Sequence, residues 1–140
     1  FMGRQYNYPV ALEGALKMKE LCYNFAEGFA AAELKHGPIA LVDKDTTVIA
    51  VNSNGNHEQE LKMLNNIKEV RARDAYVITI DCWNSICSDC EDSIKINVSN
   101  SYLSPILSVI PLQLFAYYSA VFRRKNVDRP RNLAKSVTVE

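Results

Sequence analysis

The sequence has no excess of charge of either sign, because 16 lysines and arginines balance 16 aspartates and glutamates among its 140 residues. Proteins that bind nucleic acid or an anionic membrane through their surface generally carry a basic patch or excess. We therefore expect neither nucleic acid nor a membrane as a partner. Any anionic ligand has to be held by a local group of residues.

Cysteine and histidine are also scarce, with four and two residues. The cysteines, Cys22, Cys82, Cys87 and Cys90, are too few and too unevenly spaced for a disulfide scaffold. Their scarcity favours a reducing compartment, and we expect a cytoplasmic protein. The cluster from Cys82 to Cys90 is compatible with zinc, but a structural zinc site needs a fourth ligand that is not evident. We expect unliganded thiols and no metal or other cofactor.

A signal peptide is not visible in the opening segment "FMGRQYNYPV", and the abrupt start suggests a chain cut from a longer protein. The longest uncharged stretch, 96–122, ends against basic residues, as a membrane span would. Its prolines and five serines favour a core helix over 105–122 instead. Pro105 suits a first helical turn, whereas Pro111 should bend the helix or mark its true start.

Hydrophobic spacing predicts helices and strands in alternation. Helices are predicted over 8–25, 57–73 and 105–122, strands over 46–52, 75–81 and 93–98, and a further strand at "FMG". Leu12, Leu16 and Leu21 carry the helical spacing of the first helix. This order is typical of a doubly wound α/β domain with a parallel sheet between helices.

Ligands in such sheets bind beyond the carboxyl ends of the strands, which directs attention to the loops after Gly3, Asn52 and Asp81. The loop after Asn52 reads "SNGNHEQE" and has the small polar residues of a phosphate cradle. It lacks the lysine of a P-loop and the glycines of a dinucleotide site. A polar turn that caps a helix is the favoured interpretation.

The first helix carries a polar stripe, and its members fall at steps of four, three, four and three: Glu13, Lys17, Glu20, Asn24 and Glu27. A solvated face with a Glu13–Lys17 pair explains this spacing. Alternatively, Lys17 and Glu20 present an ammonium and a carboxylate for proton transfer. His36, beside Gly37 and Pro38, is either a turn residue or an acid–base group, while His57 is expected to be structural or solvated.

Four segments carry a family resemblance: "ALEGALKMKEL", "AELKHGPIAL", "IPLQLFAY" and "VDRPRNLAKSVTVE". Together they resemble the C-terminal part of the glucosamine-fructose-6-phosphate aminotransferase family. That family has a glutaminase domain and two sugar isomerase (SIS) domains of flavodoxin-like αβα architecture. The resemblance implies a second SIS domain over residues 1–125 and a C-terminal tail over 126–140, with the glutaminase and first SIS domains as missing partners. It also implies conversion of fructose 6-phosphate and glutamine-derived ammonia to glucosamine 6-phosphate.

The resemblance also implies roles for individual residues. Lys135 would form a Schiff base with the ketone of the sugar, and Ala134 would give the sugar a backbone contact. Glu20 would move a proton between C1 and C2, and Lys17 would stabilise negative charge on substrate oxygens. His36 would assist ring opening from the partner subunit of a homodimer.

The polar ending "DRPRNLAKSVTVE" would ordinarily fray in solvent. A Schiff-base lysine must be neutral, and lowering its pKa from about 10.4 to about 7.5 takes roughly 4 kcal/mol of differential destabilisation of the ammonium. We therefore expect an ordered tail over a pocket, anchored by the arginines of "RPRN" on backbone carbonyls or carboxylates. A non-catalytic sugar-phosphate-binding module and a dimerisation scaffold are the alternatives.

The sequence departs from the family at positions where glycine is usual. Gln5 follows "GR", Ala32 precedes "ELKHGP", and "RRKN" replaces a glycine-containing turn. Ala32 would alter the turn that presents His36 if that position needs a positive φ.

Overall fold

A computed structural model describes residues 1–53, 57–82, 90, 92–98 and 100–133. Its strands are β1 (Met2–Gly3), β2 (Phe29–Ala30), β3 (Thr47–Asn52), β4 (Tyr76–Cys82) and β5 (Asp92–Ile96), and its helices are α1 (Asn7–Lys17), α2 (His57–Arg71) and α3 (Ser104–Phe122). A π-helical turn, Met18–Cys22, follows α1 directly, and 3₁₀ turns occupy Ala31–His36, Pro38–Leu41 and Ser101–Leu103. The predicted strands and helices are present, and β2 is an addition.

The five strands form one sheet in the order β2-β1-β3-β4-β5, and every strand pair is parallel. The 2-1-3-4-5 order is that of flavodoxin-like domains. β3 and β4 make the longest pairing, with Thr47 beside Tyr76 and Asn52 beside Asp81. The flavodoxin-like α/β fold expected from the sequence is confirmed.

The central strand β3 is buried on both faces, which creates two hydrophobic cores. Val48 and Ala50 pack with Met63 and Ile67 of α2 on one face of the sheet. Ile49 and Val51 pack on the other face with residues of α1 and α3, including Val10 and Leu112. The domain is therefore a three-layer αβα sandwich, in which α1 and the turn that follows it lie against α3.

Helix α1 buries small side chains rather than the leucines that suggested its apolar face. Leu12 and Leu16 are 42% and 41% exposed, whereas Ala11, Gly14 and Ala15 are buried. A Cβ atom at Gly14 would lie 2.9 Å from a methyl carbon of Leu112 in α3. Close approach between the two helices thus decides which residues of α1 face inward.

Helix α3 runs unbroken through Pro111, so this proline does not mark its start, while Pro105 lies in the first turn as predicted. Its buried residues recur every four positions: Ser104, Ser108, Leu112, Ala116 and Ala120. By length and composition Ser101–Phe122 could cross a membrane, and only 22% of its most apolar part is buried. The expected core helix therefore buries one narrow stripe and leaves Ile106, Leu114 and Phe122 exposed.

Two of the three departures from the family's glycines fall on residues with a left-handed backbone. Gln5 has φ 49° and Arg124, in the "RRKN" turn, has φ 56°. Ala32 lies within the 3₁₀ turn Ala31–His36 and does not have a positive φ. The turn that presents His36 therefore accommodates alanine without backbone strain.

These conformations predict opposite effects of two glycine substitutions. Arg124→Gly should raise the free energy of unfolding by about 1 kcal/mol, because a left-handed residue just after a helix strains an L side chain. Ala32→Gly restores the family residue yet should lower it by about 0.5–1 kcal/mol, because glycine loses more backbone entropy on folding. Urea denaturation measures both, and a shift of the same sign in both variants would contradict this explanation.

Candidate active site

The junction of α1 and the π-helical turn brings Lys17 and Glu20 together. Lys17 Nζ lies 2.6 Å from Glu20 Oε2 and 3.4 Å from Glu13 Oε1. The side chains of Lys17 and Glu20 are 27% and 26% exposed. The hydrogen bond to Glu20 raises the pKa of Lys17, against the opposing effect of burial. The stripe predicted on α1 is thus half-buried here, rather than a fully solvated face.

Glu20 lies in a π-helical turn, and the residue after this turn has an unusual backbone conformation. π-Helical turns are rare in proteins, and those that do occur are often found at functional sites. The turn spans Met18–Cys22 and is followed by Tyr23, whose φ of 59° and ψ of 28° are left-handed. A carboxylate paired with an ammonium in this setting can exchange protons with a ligand that approaches from solvent.

The chain after α3 returns to the same turn and is held there by Tyr23. The backbone N–H of Arg131 donates to the Tyr23 hydroxyl at 3.0 Å. The Arg131 guanidinium lies 4.2 Å from the centre of the Tyr23 ring, and Lys125 Nζ lies 5.7 Å from it. At the end of α3, Arg123 donates to the Asn24 side chain and to the Cys22 carbonyl.

The anchor of the tail differs from the one expected for "RPRN". Among the described residues, the Arg131 guanidinium stacks on the ring of the left-handed Tyr23 and does not reach a carbonyl or carboxylate. Arg123, which precedes the tail, makes the bond to a backbone carbonyl. Sequence reasoning missed Tyr23 and Arg123, because contacts across about a hundred residues leave no local pattern.

A cavity of about 450 Å³ opens between the π-helical turn and the tail. It is lined by Lys19, Glu20, Tyr23, Asn24, Phe25, Arg131, Asn132 and Leu133. A neighbouring cavity of about 580 Å³ shares Asn24 and Phe25 with it. Ala134 and Lys135 lie outside the described residues. Leu133 therefore brings the described chain into the Glu20 cavity two residues before Lys135.

His36 is placed elsewhere in the domain. It is exposed at the end of the 3₁₀ turn Ala31–His36 and precedes Gly37, whose φ is 153°. It does not belong to the described lining of the Glu20 cavity. The structure thus brings Lys17, Glu20 and the start of the tail together but not His36.

The cavity does not lie at the sheet edge that the general rule for α/β folds indicated. The neighbouring cavity is lined by Thr46, Thr47 and Val48 at the start of β3, which is the amino edge of the parallel strands. Helix α1 leaves the carboxyl end of β1 and returns along the sheet, so its last turn reaches the opposite edge. Most of the loops after Asn52 and Asp81, 54–56 and 83–89, lies outside the described residues, and the loop after Gly3 leads into the start of α1.

The carboxyl edge holds a network of buried polar residues. Asp81, which is fully buried, accepts hydrogen bonds from Asn52 at 3.0 Å and Ser93 at 2.9 Å, and Lys95 Nζ lies 3.6 Å away. Arg4 donates to Asn66 at 3.0 Å. Buried polar side chains generally have hydrogen-bond partners of this kind, because burying an unpaired polar group costs free energy. The network therefore provides partners for Asp81, Asn52 and Asn66, whereas the buried Ser104 Oγ at the start of α3 has no hydrogen-bond partner among the described residues.

The cysteines give no sign of a reactive or metal-binding thiol in the part of the chain that is described. Burial raises the pKa of the Cys22 thiol, which donates to the Ala116 carbonyl at 3.3 Å. Cys87 and the side chain of Cys82 lie outside the described residues, so the proposed cysteine cluster cannot be placed. Across the described ranges, histidine, cysteine and carboxylate side chains form no group of three that could hold a metal ion.

The chain is similar to a known protein family and to named proteins. The SIS domain family matches residues 1–123. Glutamine–fructose-6-phosphate aminotransferases (isomerizing) of Methanosarcina acetivorans and Chlorobaculum tepidum are each 54% identical to the chain over 142 aligned positions. The alignments cover the whole of this chain but only 23% of each relative.

Solved structures agree with the sequence comparison. The C-terminal domain of glucosamine-fructose-6-phosphate aminotransferase from Francisella tularensis superposes with a TM-score of 0.85 and 36% identity, over 92% of this chain and 36% of that one. Glucosamine-6-phosphate deaminase from Thermotoga maritima superposes with a TM-score of 0.74 and 33% identity, over 98% of this chain and 39% of that one. The chain thus spans less than half of each of these two structures.

Proposed function

The chain belongs to the SIS domain family, and on that basis we propose that it is the C-terminal part of the isomerase region of a glutamine–fructose-6-phosphate aminotransferase. The reaction proposed for the whole protein converts fructose 6-phosphate and glutamine-derived ammonia to glucosamine 6-phosphate. One observation carries the proposal: Leu133, just before the "AKS" segment, lines the same cavity as Glu20. The identity over the full chain to named aminotransferases supports it.

Lys135 is the proposed nucleophile. Its amine adds to the C2 ketone of the open-chain sugar, and loss of water gives an imine that ammonia displaces. A neutral amine is required, so the segment has to shelter Lys135 from water. The anchoring of Arg131 on Tyr23 supports such a placement. Ala134 is proposed to give the sugar a backbone contact.

Glu20 is the proposed base that removes a proton from C1 and returns it to C2. Its carboxylate already faces an ammonium, Lys17, at 2.6 Å. Negative charge that develops on a substrate oxygen during this transfer is stabilised by a nearby fixed cation. Lys17, with its raised pKa, remains protonated near neutrality and supplies that cation.

His36 requires a second subunit in this proposal. It is exposed and does not belong to the described lining of the Glu20 cavity. A homodimer would let His36 of one subunit reach the sugar bound at Glu20 of its partner, where it assists ring opening. The proposed protein is cytoplasmic, as befits a soluble metabolic enzyme. Its glutaminase domain and first SIS domain complete the molecule.

The isolated chain should bind fructose 6-phosphate poorly, because the proposed phosphate-binding loop belongs to the absent first SIS domain. Isothermal titration of the 140-residue chain with sugar up to about 1 mM should give no saturable heat of binding, as expected for a dissociation constant above about 1 mM. The full-length protein, titrated in parallel, should bind. Micromolar affinity of the isolated chain would contradict the division of the site between two domains.

A further inference from the structure

We propose that Tyr23 is a positioning residue that fixes the C-terminal tail over Glu20 and thereby sets the position of Lys135. The inference rests on the proposed function for the role of Lys135. The contact itself rests only on described residues. Neither the family assignment nor the resemblance of the "AELKHGP" and "AKS" segments gives Tyr23 a role.

The backbone of Tyr23 is the first argument. The residue that follows a helix in the left-handed conformation is usually glycine, or sometimes asparagine, because other side chains are strained there. Tyr23 adopts φ 59° and ψ 28° directly after the π-helical turn. A bulky aromatic residue in this conformation is uncommon and persists where the surroundings favour it. We attribute this conformation of Tyr23 to the contacts that its ring and hydroxyl make with Arg131.

The contacts of the ring are the second argument, because they engage the tail in two independent ways. The hydroxyl accepts the Arg131 backbone N–H at 3.0 Å, and the ring face lies 4.2 Å from the Arg131 guanidinium. The first contact fixes the main chain, and the second is a cation–π contact that fixes the side chain. Both join residues 108 positions apart.

Charges around the ring strengthen this arrangement. Lys125 Nζ lies 5.7 Å from the ring centre, so two cations of the returning chain share one aromatic residue. Arg123 holds the base of the tail on Cys22 and Asn24, the residues on either side of Tyr23. The returning chain is therefore fixed to residues 22–24 at two points, at Arg123 just before the tail and at Arg131 within it.

Chain length then connects Tyr23 to the proposed nucleophile. Lys135 follows Arg131 by four residues, which span at most about 14 Å when extended. Arg131 and Leu133 line the Glu20 cavity together with Tyr23. An anchor at Arg131 thus limits how far Lys135 can move from Glu20. Small displacements of a reacting group lower rates steeply, and Tyr23 acts on the rate through this restriction.

The test uses the full-length protein and compares Tyr23→Phe, which keeps the ring, with Tyr23→Leu, which removes it. Tyr102→Phe and Tyr102→Leu are the matched controls. The Tyr102 ring also makes a tertiary contact, since its centre lies 5.9 Å from that of Tyr6, but among the described residues it does not contact the tail. Three quantities are measured: kcat and KM for fructose 6-phosphate, amide hydrogen exchange of the tail around Arg131, and borohydride trapping of the sugar at Lys135.

Tyr23→Leu should lower kcat about 30-fold with KM changed less than about threefold, since positioning affects the reacting amine more than sugar binding. Tyr23→Phe should lower kcat about threefold, because the ring still holds the guanidinium. Amide exchange at Arg131 should accelerate in both variants, which lose the hydroxyl acceptor. Trapping should slow in parallel with kcat, and the Tyr102 variants should match the wild type.

Arg131→Gln provides a second route if Tyr23→Leu fails to fold, because Arg131 is exposed and its side chain is not part of a core. This variant should lower kcat in the same direction as Tyr23→Leu. Wild-type kcat and trapping in both Tyr23→Leu and Arg131→Gln would overturn the role of Tyr23 and leave the proposed function standing. Absence of trapping in the wild type would instead overturn the proposed function and, with it, this inference.

Discussion

Lys135→Arg in the full-length protein is expected to lower kcat for glucosamine 6-phosphate formation by about 10⁴-fold or more, because a guanidinium stays protonated and cannot attack a ketone. The substitution retains much of the side-chain length and a nitrogen-bearing end, so loss of side-chain bulk cannot explain the effect. Steady-state assays of the amino sugar measure it. Hydrolysis of glutamine, proposed for a separate domain, should continue.

Lys62→Arg is the matched control for this change. Lys62 is exposed on α2 and pairs with Glu58 four residues earlier. Exposed pairs of this kind contribute at most about 1 kcal/mol to stability, so the variant should fold and turn over normally. If Lys135→Arg retained more than a tenth of the activity of Lys62→Arg, Lys135 would not be the nucleophile.

Glu20→Gln is expected to lower kcat by about 10²–10⁴-fold, the usual contribution of a general base. The amide is nearly isosteric with the carboxylate but cannot accept the C1 proton. The adduct at Lys135 should still form, because imine formation precedes proton transfer in the proposed mechanism. Trapping with borohydride therefore separates the role of Glu20 from that of Lys135.

Glu13→Gln is the matched control for Glu20, since both carboxylates contact Lys17. Glu13 lies 3.4 Å from the ammonium but one turn earlier on α1, and it does not belong to the described cavity lining. Its substitution should change kcat less than about threefold, as expected for a surface partner. Equal losses in the two variants would show that a carboxylate partner for Lys17, rather than proton transfer by Glu20, matters.

The strands and the fold were predictable because their signals are local. β3 and β4 are β-branched runs, and the segment between them has helical spacing. This strand–helix–strand order predicts a parallel βαβ unit and leaves few possible sheet topologies. β2 was not predictable, since Phe29–Ala30 is two residues long and gains its strand character only from pairing with β1.

The inward face of α1 shows where hydrophobicity alone fails. The spacing of Leu12 and Leu16 predicts a helix correctly, yet the helix turns Ala11, Gly14 and Ala15 toward α3. Inter-helix distance decides this, because a larger side chain at Gly14 would collide with Leu112. A single sequence does not contain the distance between two helices that lie about a hundred residues apart.

The candidate site was predictable in part. The spacing of three residues between Lys17 and Glu20 places both on one side of a helical turn, and in the structure Lys17 Nζ lies 2.6 Å from Glu20 Oε2. The anchor on Tyr23 and the position of the cavity at the amino edge of the sheet depend on where the tail returns. General rules for parallel sheets pointed to the opposite edge, where Asp81 accepts hydrogen bonds from Asn52 and Ser93.

Reductive trapping of fructose 6-phosphate on the full-length protein tests the central claim most directly. Borohydride should convert the imine to a stable secondary amine, and peptide mass spectrometry should locate the added sugar phosphate on Lys135 alone. Lys135→Arg should give no adduct under the same conditions. A protein that forms the amino sugar with no adduct, or with the adduct on another lysine, would contradict the proposed mechanism.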